Sequence, residues 1–512
     1  MHESSFLRRS AFGLLLCTMV SCQPTPVQSQ PLVPTVHAEV AGASARLNAN
    51  LWPQMFYQWD CLTHNPHCSR ESFRQLWQTA GVDVADYQNY LAQLKAKYAR
   101  QFQINEPPAN TGLPFRFEGI SLWDKIRQAA LKSSAKRDFY TQMELVLLPT
   151  DAEALTQRME NLETKLSSWW EREGLSTAAA ARNAFSKVLS TEELSRLLTQ
   201  AGQFYEADLN AQSVLGFHFM SRPVAGSNTL NGEQIEAQSV IEVRPDREAL
   251  SNLDVVVHEW SHYLYRRQPE ASAIRLINFF VEQQTPEAIG AHHLLNEVMA
   301  TAIGNGEVNQ LLRSPESYAR YISRPLALYN DPWINSVALA LQTRIKSALR
   351  QNETLSSEAF LRDYLRIAQD TLGKESLTRP EILLRTLGAL TLDGLTPVLR
   401  EFQGMIRAGN ARSSSDPLQA KGFFERYSAL SGIVLARPES VKQLIKDRFW
   451  LPENVQADFE SALSKGDSFV FGVKRNRQAY TYFVVLPEGA GHRELLEAFR
   501  ARPGAFTGLM PS

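Results

Sequence analysis

Apolar residues recur at helical spacing through most of the chain. From 46 to 205 the pattern is that of amphipathic helices, with the clearest periodicity at 152–170, 177–189 and 192–205. Helical patterns return from about 266 to 435. The hydrophobic pattern therefore predicts a mainly helical protein.

Four shorter segments have the composition of β-strands. The segments 213–220 and 239–245 flank a polar, glycine-containing loop, and 468–473 and 479–486 flank a turn that predicts a hairpin. With 44% hydrophobic and 21% charged residues, the composition is that of a globular protein with a large core. We predict a mainly α fold with a small β-sheet, in the α+β class.

An HExxH sequence follows the second predicted strand. An apolar run, Val255 to Val257, leads into His258, and Glu259 and His262 complete the motif. Residues i and i+4 lie on one helix face, so both imidazoles can bind one metal ion, and Glu259 can act as a general base beside them. The alternative is a buried helix whose histidines bind neighbouring side chains. Three residues are candidates for its N-terminal cap: Ser251, Asn252 and Asp254.

A catalytic zinc site needs a third protein ligand. The best candidate is Glu297, a single acidic residue in an apolar helical segment, where an unpaired carboxylate is costly unless it binds a partner. Its distance along the chain from His262 is 297 − 262 = 35 positions. Four other side chains remain as alternative third ligands: His292, His293, Glu282 and Glu287.

The combination of HExxH with Asn296-Glu297 on a second helix resembles the gluzincin metallopeptidases, the thermolysin-like clan. This resemblance covers roughly 210–305 and implies a zincin-like catalytic core. It also implies that His258, His262 and Glu297 hold one zinc ion and that Glu259 is the general base for hydrolysis of a peptide substrate.

The chain departs from the gluzincin pattern in two places. The gap before Glu297 is longer than usual, which implies an extra element across 266–290. An Asp that commonly supports a zinc histidine, four residues after the ligand Glu, is Thr301 here. The resemblance also implies a side chain that stabilises the oxyanion, for which Tyr329 is the chosen candidate and Tyr321 and His293 are alternatives.

The N-terminus has the features of an export signal. Two arginines precede the apolar segment 11–20, and Met19-Val20-Ser21-Cys22 resembles a bacterial lipobox, in which Cys22 is lipidated. The alternative is an ordinary secretory signal. In lipoproteins that this one resembles, Gln23 favours the outer membrane. We therefore predict a lipid anchor in the bacterial cell envelope.

Charge and cysteine content narrow the choice further. The chain has 53 Lys and Arg against 54 Asp and Glu, and no basic block, so no nucleic-acid partner is expected. Export to an oxidising compartment predicts a disulfide between Cys61 and Cys68, although both could instead bind metal together with His64 and His67.

These observations leave three functional hypotheses. The first is a lipid-anchored zinc peptidase, the second an inactive zinc-binding envelope lipoprotein that acts as a scaffold, and the third a helical interaction lipoprotein with a fortuitous HExxH. Retention of Glu259 favours the first. The predicted organisation is a signal peptide (1–22), a flexible tether (23–45), a helical N-terminal region (46–205), the catalytic core (206–310), a helical C-terminal region (311–435) and a small α+β tail (436–512).

Overall fold

The computed structural model describes most of the chain beyond residue 34. Over these residues the chain is 62% helical and 12% strand, with the strands in two mixed sheets. The predicted mainly helical α+β fold is confirmed, although there are two small sheets. The described ranges are 35–40, 43–63, 68–98, 112–114, 122–209, 214–224, 231–408, 410–446 and 451–510.

The first sheet has five strands, in the order β1-β2-β3-β5-β4. Strand β2 pairs with β3, and β3 with β5, in parallel, whereas β1–β2 and β4–β5 are antiparallel. The short strand β4 therefore forms one edge of the sheet. The bounds are β1 (Val36–Val40), β2 (Ala43–Asn48), β3 (Val214–Ser221), β4 (Gly232–Ile235) and β5 (Gln238–Val243).

Two predictions about this region are wrong. The tether predicted at 23–45 includes β1 and the start of β2. Strand β2 is stabilised by parallel pairing with β3, which is far away along the chain, so the local sequence does not indicate it. The loop predicted between the strands 213–220 and 239–245 contains β4, which is too short to show a periodic pattern. Strands β3 and β5 themselves lie where they were predicted.

Helices of the N-terminal region surround α1, which is buried on nearly every side. Helix α7 packs on β3, where the rings of Phe185 and Phe219 lie 4.9 Å apart. The described part of this region is mainly helical. The bounds are α1 (Leu51–Thr63), α2 (Arg70–Thr79), α3 (Val84–Lys97), α4 (Leu122–Lys132), α5 (Lys136–Glu144), α6 (Pro149–Trp169), a π-helical segment (Trp170–Gly174), α7 (Leu175–Leu189) and α8 (Glu192–Phe204).

The HExxH helix and the helices after it complete the same hydrophobic core. An additional helix, Glu270–Glu282, occupies the long gap before Glu297, as the resemblance implied. The bounds are α9 (Leu253–Arg266), α10 (Glu270–Glu282), α11 (Pro286–Ala300), a π-helical segment (Thr301–Glu307), α12 (Val308–Leu312), α13 (Pro315–Ile322), α14 (Pro332–Arg350), α15 (Glu358–Leu372), α16 (Lys374–Leu377) and α17 (Pro380–Leu383).

The second sheet begins earlier than the tail predicted at 436–512. It contains parallel strands within the predicted helical region 311–435, and its order is β11-β9-β10-β8-β6-β7, with a hydrophobic cluster on each face. The predicted hairpin is confirmed as β9 and β10. The bounds are β6 (Thr386–Thr391), α18 (Thr396–Met405), β7 (Asn410–Ser414), α19 (Pro417–Arg426), β8 (Gly432–Ala436), α20 (Pro438–Lys446), α21 (Glu453–Ser464), β9 (Phe469–Lys474), β10 (Tyr480–Val485), α22 (Arg493–Arg500) and β11 (Gly508–Leu509).

Two other sequence predictions concern the N-terminal half. Cys61 at the end of α1 and Cys68 before α2 form a disulfide, with their Cα atoms 5.7 Å apart, so the predicted pairing is confirmed. His64 and His67, the other members of the alternative metal site, lie outside the described residues, as do Cys22 and the predicted signal peptide. None of the described helices has the length and apolar character needed to span a bilayer.

Candidate metal centre

Helix α9 places both HExxH histidines on one face. The Nε2 atoms of His258 and His262 lie 3.1 Å apart, and their ring centroids are separated by 4.8 Å. The apolar residues of the motif, such as Val257 and Trp260, face the core. These apolar residues hold the helix against the core, and the two imidazoles lie together on a different face of the helix.

The start of α9 differs from the predicted cap. Asn252 occupies the N-cap position, but its side chain donates to the Glu242 carbonyl at 3.0 Å instead of accepting from the helix. Asp254 lies one residue inside the helix, and its Oδ1 accepts from the backbone N–H of Val255 at 2.9 Å. The other oxygen of Asp254, Oδ2, accepts from the side-chain amides of Asn305 and Asn309.

Helix α11 brings Glu297 to the two histidines. Its Oε1 lies 3.4 Å from His262 Nε2, and its Oε2 lies 3.5 Å from His258 Nε2. One ligand atom from each of the three side chains lies within 4.8 Å of the others. The side chain of Glu297 is 34% exposed, against 5% for His258 and 12% for His262, so the cluster opens toward solvent at Glu297.

The alternative third ligands do not join this cluster. The ring of His292 packs against Phe280, at 5.3 Å between centroids, and His293 Nδ1 bonds to the Ile382 carbonyl at 3.1 Å. Within the described part of the chain, only His258, His262 and Glu297 form a group of three ligand side chains. Glu282 and Glu287 are therefore also outside it.

Each histidine has a side-chain partner on its second nitrogen. His262 Nδ1 lies 3.1 Å from Asn296 Oδ1, and His258 Nδ1 lies 2.9 Å from Asn305 Oδ1. An amide oxygen accepts a hydrogen bond, so each Nδ1 carries a proton, and each Nε2 faces Glu297, where its lone pair can bind a cation. Asn296 belongs to the motif that predicts Glu297, whereas Asn305 was not predicted from the sequence, where its only signal is its position between Gly304 and Gly306.

Burial and mutual interaction shift the pKa values of the cluster. Burial acts to raise the pKa of Glu297, but the neighbouring His262 and His258 lower it below the ordinary value for glutamate. Burial lowers the pKa of His262 to about 4. The pKa of His258 is raised, because Glu297 and Glu259 outweigh the effect of burial. The centre therefore combines an anionic carboxylate with two imidazoles, which is a donor set suited to a divalent cation.

Glu259 lies between α9 and the edge strand β4. A Cβ placed on Gly232 would lie 2.9 Å from Glu259 Cγ and 3.1 Å from its Oε1, so only glycine allows this packing. Burial raises the pKa of Glu259 to about 7. A carboxyl group with a pKa near neutrality can both accept and donate a proton at physiological pH, as a general base requires.

Tyr329 is the candidate oxyanion donor that the fold places at the centre. The pKa of its hydroxyl is raised well above the ordinary value, first by the neighbouring charge of Glu297 and then by burial. The backbone N–H groups of Leu328 and Tyr329 both donate to Asn335 Oδ1, at 2.9 and 3.2 Å. The alternative Tyr321 instead lies beneath the Arg313 guanidinium, 4.5 Å from its ring centroid.

His218 on β3 is not part of the centre. It is 1% exposed, and its Nε2 lies 2.8 Å from Gln238 Oε1. Its burial against the sheet gives it a role in stability rather than in metal binding.

Comparison with known proteins gave no match: no protein-family model fits the chain, and no curated protein or solved structure matches it significantly. The resemblance to the gluzincins therefore stays a prediction.

Proposed function

We propose that this chain is a zinc-dependent peptidase that hydrolyses peptide bonds in peptide or protein substrates. The observation that carries the proposal is the convergence of His258, His262 and Glu297, with Glu259 next to them on the same helix. Sequence spacing alone offered five candidates for the third ligand. The cluster supports Glu297, which is the third ligand that the resemblance to the gluzincins implies.

The donor set fits zinc in type and spacing. Ligand atoms about 2.0–2.2 Å from a tetrahedral zinc are roughly 3.3–3.6 Å from one another. The separations between the two Nε2 atoms and between each Nε2 and a Glu297 oxygen are 3.1, 3.4 and 3.5 Å. Three protein ligands leave one position open, which distinguishes catalytic zinc sites from structural ones.

The side chains around the site provide the remaining chemistry. A zinc ion held there would supply a Lewis acid that makes water more acidic and polarises the scissile carbonyl. Glu259 takes the proton from the attacking water and delivers it to the leaving amine nitrogen. Tyr329 donates a hydrogen bond to the carbonyl oxygen as negative charge develops on it.

The edge strand β4 is the proposed position for the substrate backbone. It is the last strand of the first sheet, and Gly232 at its start packs against Glu259. An extended peptide can add to such an edge through main-chain hydrogen bonds. This arrangement would hold a peptide bond next to the general base.

The proposed location is the bacterial cell envelope, with Cys22 lipidated and the protein anchored in the outer membrane. The support is the lipobox-like sequence, since these residues lie outside the described ranges. Labelling cells with a radioactive fatty acid should mark the wild type and leave Cys22→Ser unmarked. A labelled Cys22→Ser protein would exclude this anchor. Gln23→Asp should move the protein to the inner membrane on fractionation.

The test of function is a joint measurement of metal content and proteolysis. We expect the wild type to hold one zinc and to cleave a casein-like substrate, Glu259→Gln to keep zinc and lose cleavage, and His262→Ala to lose both. Glu282→Gln is a matched control that changes an exposed acidic side chain outside the site and should behave as wild type.

Two outcomes of this test would contradict the proposal. Stoichiometric zinc with equal, negligible cleavage by wild type and Glu259→Gln across casein and a mixed peptide library would favour the scaffold alternative. Absence of stoichiometric zinc would exclude both zinc hypotheses.

A further inference from the structure

The carboxylate expected to support a zinc histidine is absent from its usual place. Thr301 stands there, fully buried, and its hydroxyl has no hydrogen-bond partner among the described residues. His258 nevertheless has a partner on Nδ1, the amide oxygen of Asn305, four residues further along. The chain therefore supports His258 in a way that the gluzincin pattern does not predict.

Asn305 in turn contacts the partly buried carboxylate of Asp254. Its Nδ2 lies 3.3 Å from Asp254 Oδ2, and Asn309 Nδ2 donates to the same oxygen at 2.9 Å. The other oxygen of Asp254 accepts from the Val255 N–H. Asp254 is thus held by three donors, and one of them is the amide that contacts His258.

The carboxylate determines the orientation of the amide. An ionised carboxylate only accepts hydrogen bonds, so Asn305 must turn its NH2 group to Asp254 and its oxygen to His258. An amide oxygen also only accepts, so His258 must carry its proton on Nδ1. The lone pair of His258 is then on Nε2, the atom that faces Glu297 and His262.

The backbone around Asn305 is shaped to allow this contact. A π-helical segment, Thr301–Glu307, follows α11 without a break and so shifts the register of the residues after Glu297. Within it, a Cβ on Gly304 would lie only 2.4 Å from the backbone nitrogen of His258 and 2.5 Å from the Cα of His258. Only glycine therefore lets the two helices approach closely enough for Asn305 to reach the imidazole.

We propose that Asp254 and Asn305 act together as a positioning pair for His258: Asp254 orients the Asn305 amide, and the amide fixes the His258 tautomer that presents Nε2 to the metal. This inference rests on the proposed function, because it assigns a role toward the same zinc site. Asp254 and Asn305 are positioning residues and touch neither metal nor substrate. Such outer partners of a ligand histidine typically affect metal affinity by about 10- to 100-fold.

The test measures zinc affinity by competition with a chromophoric chelator, which needs no substrate. We expect Asn305→Ala to bind zinc about 10- to 100-fold more weakly than the wild type. Asn305→Asp should also bind weakly, because it places a second carboxylate against Asp254. The exchanged double variant, Asp254→Asn with Asn305→Asp, should bind zinc at least tenfold more tightly than Asn305→Asp alone. In this variant a carboxylate contacts His258 directly and an amide lies behind it.

A matched control and a second readout separate positioning from general damage. Glu307→Gln alters a buried residue of the same π-helical segment whose charged neighbours are Lys346 and Arg350, and it should bind zinc as the wild type does. In the zinc-loaded wild type, the proton on His258 Nδ1 should give a hydrogen-bonded ¹H resonance that exchanges slowly with solvent. In zinc-loaded Asn305→Ala the same proton should exchange faster, because its acceptor has been removed.

The outcomes also distinguish this inference from the proposed function. If the wild type binds zinc and Asn305→Ala binds it equally well with equally slow exchange of the His258 Nδ1 proton, the positioning role is excluded and the peptidase proposal is unaffected. If the exchanged variant binds no better than Asn305→Asp alone, the dependence on Asp254 is excluded. If the wild type itself binds no zinc, the proposed function fails first.

Discussion

The ring of Tyr329 lies nearly parallel to the ring of His258, with centroids 5.4 Å apart and an interplanar angle of 11°. The charge of the Glu297 carboxylate raises the pKa of the same tyrosine, so its hydroxyl lies close to a second proposed ligand. This placement separates two properties of Tyr329, because the ring supports His258 whereas the hydroxyl lies beside Glu297, where a substrate carbonyl would be bound.

Tyr329→Phe tests the hydroxyl alone, because phenylalanine retains the stacked ring. We expect kcat for peptide cleavage to fall about 100- to 1000-fold, as for loss of one oxyanion donor. Zinc affinity and KM should stay within a few-fold of wild type. Steady-state kinetics and chelator competition measure these quantities, and an unchanged kcat would limit Tyr329 to a structural role.

A buried ion pair holds the end of the loop that carries Tyr329. Asp331 is 3% exposed, and its Oδ1 caps α14 by accepting from the backbone N–H groups of Trp333 and Ile334 at 2.9 and 3.2 Å. Its Oδ2 contacts the Arg385 guanidinium just before β6. The second sheet thus contributes a residue that holds the Tyr329 loop.

Arg385→Gln should destabilise the protein and lower turnover together. Removing one member of a buried pair leaves a charge uncompensated, at a cost of about 3 kcal/mol in the free energy of unfolding. Arg407→Gln is the matched control, because Arg407 is 50% exposed and lies 3.8 Å from the same carboxylate. It should change stability by less than about 1 kcal/mol in urea denaturation. Equal effects of the two substitutions would contradict the role given to Arg385.

Two glycine substitutions test the close contact between α9 and the π-helical segment. Gly304→Ala should lower the free energy of unfolding by about 1–3 kcal/mol, because its methyl group would overlap the backbone of His258. Gly404→Ala in α18 has no atom within 4 Å of the new Cβ, so it should be neutral or stabilising by up to about 1 kcal/mol. Chemical denaturation measures the free energy of unfolding of both variants. An unchanged value for Gly304→Ala would show that α9 and the π-helical segment can move apart without loss of stability.

The parts of the site that local sequence could predict are those with a fixed spacing. His258, Glu259 and His262 lie within one helical turn, so their geometry follows from the helix itself. Glu297 could be predicted because a single carboxylate in an apolar helix requires a partner. Asn305 could not, because its contact with His258 depends on a π-helical register and on the space left by Gly304.

The errors in the fold have a related physical cause. Strand β2 at Ala43–Asn48 has a parallel partner in β3, and β6 at Thr386–Thr391 lies between β7 and β8, so both strands are stabilised by distant residues. Their local composition gives little indication of this. Helices form most of their hydrogen bonds internally, and for that reason the helical regions were predicted more accurately.

Acid should destabilise the metal-free protein through its buried histidines, of which His218 is the clearest example. Burial lowers the pKa of His218 from the ordinary 6.5 to about 4, and Gln238 only partly opposes this. Between these two values the unfolded chain binds a proton that the folded chain does not, so stability is complete above about pH 6.5 and falls as the pH drops toward 4. The loss from this residue is on the order of 3 kcal/mol. His292 and His293, whose pKa values burial lowers to about 3 and 4, act in the same direction.

Urea denaturation with EDTA from pH 7 to 4.5 should therefore give a steeper loss of stability for the wild type than for His218→Gln. Parallel curves for the two proteins would show that His218 is not protonated on unfolding in this range.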